Sequence, residues 1–221
     1  MPETPAMEEL ARDPSSRKRF LKMVGGAGAT GAFAMFLAAC GSDDNSMSTS
    51  SSGATSTAST KGDLAILNYA LTLEYLEADF YQKVIESGEV KDKKIAALAT
   101  KIGENEKQHV DALKATIQKL GGKPVAAPTT KFDAVIAGGP EKILATAASV
   151  ENLGAAAYLG QAGRITSPEV LAAALSIHSV EARHAAALNT LVSEPVTPDG
   201  AFAKPAAMAE VLKAVKPFIA N

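Results

Sequence analysis

Two short runs, Glu106-Lys107-Gln108-His109 and Glu181-Ala182-Arg183-His184, set a carboxylate and an imidazole three residues apart. On a helix that spacing turns both side chains to one face, within reach of a single metal ion. Glu74 and Glu151 lie in other segments, each on an otherwise apolar seam. Four carboxylates facing one interior cannot all stay ionised without compensation. They take up protons, turn to solvent or bind cations. Two divalent ions would balance four carboxylates charge for charge. The two imidazoles would add nitrogen donors, a mixed set that suits iron, manganese or zinc. Carboxylate-rich pairs of this kind hold their ions roughly 4 Å apart.

The chain repeats itself around these residues. With an offset of 77, Ile66-Leu67 falls on Ile143-Leu144, Ala70 on Ala147, Glu74 on Glu151, Leu76 on Leu153 and Tyr81 on Tyr158. With an offset of 75, Glu106 falls on Glu181, His109 on His184 and Leu113 on Leu188. Two helical hairpins related by a pseudo-twofold would produce this pattern. Tyr81 lies seven residues after Glu74, about 10 Å along the axis on nearly the same line. Tyr81 and Tyr158 are therefore either core aromatics or hydrogen-bond partners of the carboxylates. Glu77 stands one turn beyond Glu74, and its repeat partner is Gly154. It is a candidate extra ligand, an ion-access residue or a solvated acid. His178, opposite Gly103, is a candidate extra ligand or supporting residue, or else a hydrogen-bonding core histidine.

Positioning these groups requires long helices. Segments rich in Ala, Leu, Glu and Lys with three- and four-residue apolar spacing run from residue 62 onward. They predict helices at about 62–87, 91–120, 140–163 and 168–193, and a short one at about 206–219. Gly121-Gly122 is the expected stop of the second helix. Pro140 opens the third, and Ser167-Pro168-Glu169 opens the fourth with a cap, a first-turn proline and an acid. The connections are short, long, short. The fold class is all-α: a four-helix bundle with one long crossover between the second and third helices, plus the short C-terminal helix. The segment 124–138 has room for an extended piece within the crossover.

Composition narrows the alternatives. The 221 residues are 47% hydrophobic and 21% charged, which rules out a wholly disordered chain. A net charge of -2 gives no electrostatic case for nucleic acid. With the one cysteine, Cys40, neither an intrachain disulfide nor a Cys-based metal site can form. Any metal must be held by carboxylates and by His109, His178 and His184.

The segments LTLEYLEADFY, ENEKQHVDAL, SVENLGAAAY and SVEARHAAAL resemble the ferritin-like superfamily, over about residues 62–193. The resemblance is to bacterial exported ferritin-like proteins related to rubrerythrins and bacterioferritins. One Glu from each of two helices plus Glu-x-x-His from the other two is that superfamily's di-iron or di-manganese ligand set. The resemblance implies that Glu106 and Glu181 bridge two metals, and that Glu74 and Glu151 each bind one. His109 and His184 would each complete one metal. It implies iron first and manganese second, with dioxygen or peroxide as small substrates and ferroxidase- or peroxidase-like chemistry. The chain departs from rubrerythrins in having no cysteines for their extra iron domain. Two other readings stay open: a metal-binding envelope protein without turnover, and a metal-free structural bundle.

The first forty residues read as an address. Ser16-Arg17-Lys18-Arg19-Phe20-Leu21-Lys22 resembles the twin-arginine export motif, with Lys18 where its second arginine stands, so the general secretory route is open too. A glycine-containing apolar stretch to Ala39 follows, suited to a signal-peptide core. Leu37-Ala38-Ala39-Cys40 resembles a bacterial lipobox, which implies a lipid on Cys40. Ser and Thr fill 12 of the 20 positions at 41–60, the composition of a tether. The expected organisation is a signal peptide over 1–39, a lipid-anchored tether over 40–60 and a helical domain over 61–221. The expected location is the outer face of a bacterial cytoplasmic membrane, with the membrane itself as a partner. Oligomers are compatible with such an anchor, but a closed cage is not expected.

Overall fold

A computed structural model describes residues 53–220, with side chains from residue 60. The leader over 1–39, Cys40 and the tether up to residue 52 lie outside the described residues. The helices are α1 (Gly53–Ser87), α2 (Lys93–Lys119), α3 (Asp133–Ile136), α4 (Gly139–Ala162), α5 (Pro168–Leu191) and α6 (Met208–Val215), followed by a 3-10 turn at Lys216–Phe218. No strand occurs among the described residues, which hold an isolated bridge between Thr130 and Ile219. None of these helices is long and apolar enough to cross a membrane.

α1 pairs along α2, and α4 pairs along α5, so the chain folds as two hairpins. They meet mainly through α1 and α4. The order of buried residues along each helix explains the layering. On α1, Leu67, Ala70 and Leu71 join one apolar cluster and Phe80, Tyr81 and Val84 another, with Glu74 between. α2 runs the other way, from Ala99 and Ile102 past Glu106 and His109 to Leu113 and Ile117. α4 and α5 repeat the scheme, with Ile143 and Ala147, then Glu151, and with Val170 and Ala174, then Glu181. A polar layer is thereby clamped between two apolar ones.

The stops follow local chemistry. Asp92 caps α2 by accepting from the N–H groups of Lys94 and Ile95 at 2.8 and 3.0 Å. Gly121 sits at φ +76, a conformation costly for other residues. There its N–H bonds the Gln118 carbonyl while that of Gly122 reaches Ile117, which closes the helix. Ser167 accepts from Val170 N–H at the start of α5. The same turn is held from a distance. Asp63 on α1, 2% exposed, accepts from the N–H groups of Thr166 and Ser167, each at 2.8 Å, and from Thr166 Oγ1 at 3.0 Å.

Three expectations change in detail. α1 begins at Gly53, inside the Ser/Thr-rich stretch expected to be tether. Once packed turns exist, adding a residue to a helix end costs little. The fifth helix is shorter than expected and ends in the 3-10 turn. The crossover holds α3 besides its extended residues, because Phe132 and Val135 dip into the core. The C-terminal segment completes that core. Val211 and Val215 are buried, and the Phe218 ring stacks on Phe132 at 5.1 Å. Lys131 N–H donates to the Phe218 carbonyl, Ala220 N–H to Thr129, and Ala206 N–H to Ala156 on α4.

Replacing Asp63 with Ala removes the carboxylate that accepts from two backbone N–H groups and a hydroxyl at the α5 start. We expect a loss of about 2–3 kcal/mol in chemical denaturation. Asp63→Asn, which keeps one acceptor oxygen, should lose less. Equal stability of Asp63→Ala and the parent would contradict this role.

Candidate metal centre

The polar layer is assembled from all four long helices. α1 supplies Glu74, Glu77 and Tyr81; α2 supplies Asn105, Glu106 and His109. α4 supplies Glu151, Gly154 and Tyr158; α5 supplies His178, Glu181 and His184. Glu74, Glu106, Glu151 and Glu181 are each 0% exposed, and His109 and His184 are 9% and 7% exposed. Ligand atoms of Glu74, Glu106, His109 and Glu181 lie within 4.8 Å of one another, as do those of Glu106, Glu151, Glu181 and His184. Glu106 and Glu181 belong to both groups. These buried groups could hold metal ions.

Most of the contacts respect the repeat. His109 Nδ1 lies 2.9 Å from Glu106 Oε2 and 3.2 Å from Glu74 Oε2. His184 Nδ1 lies 3.0 Å from Glu106 Oε1 and 3.1 Å from Glu151 Oε2. Tyr81 on α1 donates to Glu151 at 2.6 Å, and Tyr158 on α4 donates to Glu74 at 2.5 Å. Each hairpin therefore fastens the other's outer carboxylate. Both tyrosines are partners of the carboxylates, one of the alternatives their register left open.

Two other candidates fall differently. Glu77, 5% exposed, points into the same layer. Its Oε1 and Glu181 Oε2 would each lie 2.9 Å from a Cβ built on Gly154, so any larger residue there would push both carboxyl groups aside. Glu77 also faces an apolar cavity of about 10 Å³, room for about one water, beneath Val211 and Val215. It is a fifth buried carboxyl group rather than a solvated acid. His178 is half-buried, and its Nδ1 lies 3.0 Å from the Ala155 carbonyl, outside both groups. It braces α5 against α4. Asn105 escaped the sequence reading: its Nδ2 lies 3.0 Å from His184 Nε2. Its only sequence signal is its place directly before Glu106.

Burial dominates the electrostatics. It raises Glu74 to about 7, with His109 pulling the other way. It raises Glu77 well above the carboxylate range, aided by the charges of Glu181 and Glu74, raises Glu181 likewise, aided by Glu74, and raises Glu151 as well. On Glu106, burial is outweighed by the two histidines beside it, which bring it to about 2. Burial alone would lower the histidines. Instead the Glu74 charge and the adjoining Glu106 and Glu181 carboxyl groups raise His109, and the adjoining Glu106 and Glu151 bring His184 to about 9. Protons thus do here what cations could do. They do it incompletely. His109 Nδ1 carries one hydrogen and faces three carboxylates, including Glu181 Oε1 at 3.2 Å. Glu106 Oε1 and Glu181 Oε1 each meet only a shared imidazole nitrogen, at 3.0 and 3.2 Å and outside good hydrogen-bond alignment, and Glu181 Oε2 meets no donor. Buried acceptors without donors are costly, and a cation placed among them satisfies several at once. The donor set therefore fits bound metal ions.

Comparison with known proteins agrees with this picture. The model of the ferritin-like domain family matches residues 62–194. The chain belongs to that family. No curated protein matches it. Among solved structures, a hypothetical protein from Methanococcus jannaschii is similar, at 13% identity and a TM-score of 0.48, over 78% of this chain and 98% of that one. That likeness is too loose to bear on the site.

A pH dependence follows from the proton inventory. Glu74 and His184 hold protons more tightly folded than unfolded. Their contribution is full below about 4.5 and 6.5, and is lost as pH rises through about 7 and about 9. Glu106 acts oppositely, contributing above about 4.5 and failing as pH falls through about 2. Metal-free protein should therefore lose stability from about pH 4.5 to about 9. Bound cations replace those protons, so their stabilisation grows over the same window. The thermal midpoint of metal-loaded protein minus that of chelated protein should widen steadily between roughly pH 5 and 8. A difference that is flat or narrows would contradict this.

Proposed function

We propose that this protein is an exported, lipid-anchored ferritin-like protein whose centre takes up two divalent ions and oxidises ferrous iron at the expense of dioxygen or peroxide. Iron is the resident metal of this reading, with manganese second. The observation that carries it is the set of buried, incompletely satisfied oxygens on Glu106 and Glu181, grouped with Glu74, Glu151, His109 and His184. Membership of the ferritin-like domain family favours the same chemistry.

In this reading Glu106 and Glu181 would span both ions, while Glu74 with His109 and Glu151 with His184 would each complete one. When bound, a metal pair supplies one-electron steps, so that two ferrous ions provide the two electrons that turn peroxide into water. The protein's own part is positional. Tyr81 and Tyr158 each hold a proton against one carboxylate and fix its rotamer. The flanking apolar clusters keep bulk water from the layer, which strengthens every charge interaction inside it.

Two experiments test the parts separately. Mixing ferrous iron and peroxide with purified protein in a stopped-flow absorbance instrument should show oxidation well above the protein-free rate. The Glu106→Ala/Glu181→Ala double variant should lose it by about 100-fold or more, judged by the cost of losing metal-centre residues. Metal uptake without turnover in the parent would leave a metal-holding protein instead. For export, Cys40→Ala should move the protein out of the membrane fraction. A variant that fractionates like the parent would refute the lipid anchor.

A further inference from the structure

The repeat makes the ligands symmetric but not what surrounds them. His184 Nε2 lies 3.0 Å from the half-buried Asn105 amide, across from α5 to α2. The position equivalent to Asn105, 75 residues on, is Val180, which has no polar atom to offer His109. Among the described residues His109 Nε2 makes no hydrogen bond. The bridging candidates differ as well. Glu106 reaches both histidines, with Oε2 on His109 and Oε1 on His184. Glu181 reaches His109 with Oε1, while its Oε2 faces Gly154 and Glu77 instead of His184.

We propose that the two halves of the centre are inequivalent, and that Asn105 is a positioning residue that strengthens metal binding at the His184 half alone. The inference rests on the metal reading above. A histidine that gives its Nδ1 lone pair to a cation must carry its hydrogen on Nε2, and that hydrogen needs an acceptor. A side-chain amide supplies one. Turned by 180° it presents Oδ1 in place of Nδ2, so Asn105 supports the His184 ring whether Nε2 is bare or protonated. Such an outer partner fixes tautomer and ring rotation before the ion arrives, and its loss typically costs 10–100-fold in metal affinity. His109, beside Val180, has no such support and must be ordered by the ion itself.

The test uses the full-length protein in detergent and manganese(II), counted by the electron paramagnetic resonance signal of the free ion. The parent should bind two ions in two resolved steps. Asn105→Val should weaken one step by about 10-fold and leave the other in place. Val180→Asn, which offers His109 the missing amide, should strengthen the step that Asn105→Val does not touch. In a His184→Ala background the Asn105 change should have no further effect, whereas in a His109→Ala background it should keep its full effect. Two ions bound with both steps shifting together, or neither, would overturn this inference and leave the metal reading intact. No ion bound by the parent would overturn both.

Discussion

The structure turns on the cost of burying carboxylates. Glu74, Glu106, Glu151 and Glu181 are fully enclosed and Glu77 nearly so, within a bundle whose other interior residues are mostly apolar. Each would rather be in water by several kcal/mol if ionised and alone. Two imidazoles and two phenols offset part of that cost. They leave Glu106 Oε1 and Glu181 Oε1 with only a poorly aligned imidazole each, and Glu181 Oε2 with no donor. A bundle built for stability alone would replace this layer with leucines and lose nothing in packing. The cost of such a layer between two well-filled apolar clusters is what favours the metal-binding reading.

The fold serves this layer in specific ways. Antiparallel hairpins bring Glu-x-x-His from α2 and α5 opposite the lone acids of α1 and α4. The crossed bonds from Tyr81 to Glu151 and from Tyr158 to Glu74 lock the hairpins at the level of the centre. Glycine at 154 lets Glu77 and Glu181 share a space that an alanine methyl would fill. The family match ends at residue 194, yet the segment beyond it is built into the same core. Val211, Val215 and Phe218 seal the side of the bundle on which Glu77 lies.

Much of this could be read from residue order because helical spacing fixes which side chains share a face. Glu106 with His109, Glu181 with His184, and the matched Glu74 and Glu151 needed no other information. The long crossover, the helix stop at Gly121 and the helix start at Ser167 were readable for the same local reason. What sequence could not supply depends on contacts between distant segments. Asn105 matters through His184, 79 positions away, and Asp63 through a turn 103 positions away. His178 shared a helical face with Glu181 by spacing, but its ring turned to a backbone carbonyl of α4. Glu77 was ambiguous until Gly154 was seen beside it. The early start of α1 had no compositional sign at all, since Ser and Thr are indifferent helix formers.

The most direct test is where metal sits. Crystals of the protein grown with manganese and measured near an anomalous absorption edge should show two peaks among Glu74, Glu106, His109, Glu151, Glu181 and His184, roughly 4 Å apart. Crystals that show no peak there under saturating metal, with the carboxylates still facing one another on protons alone, would contradict the claim that this layer exists to hold a cation pair.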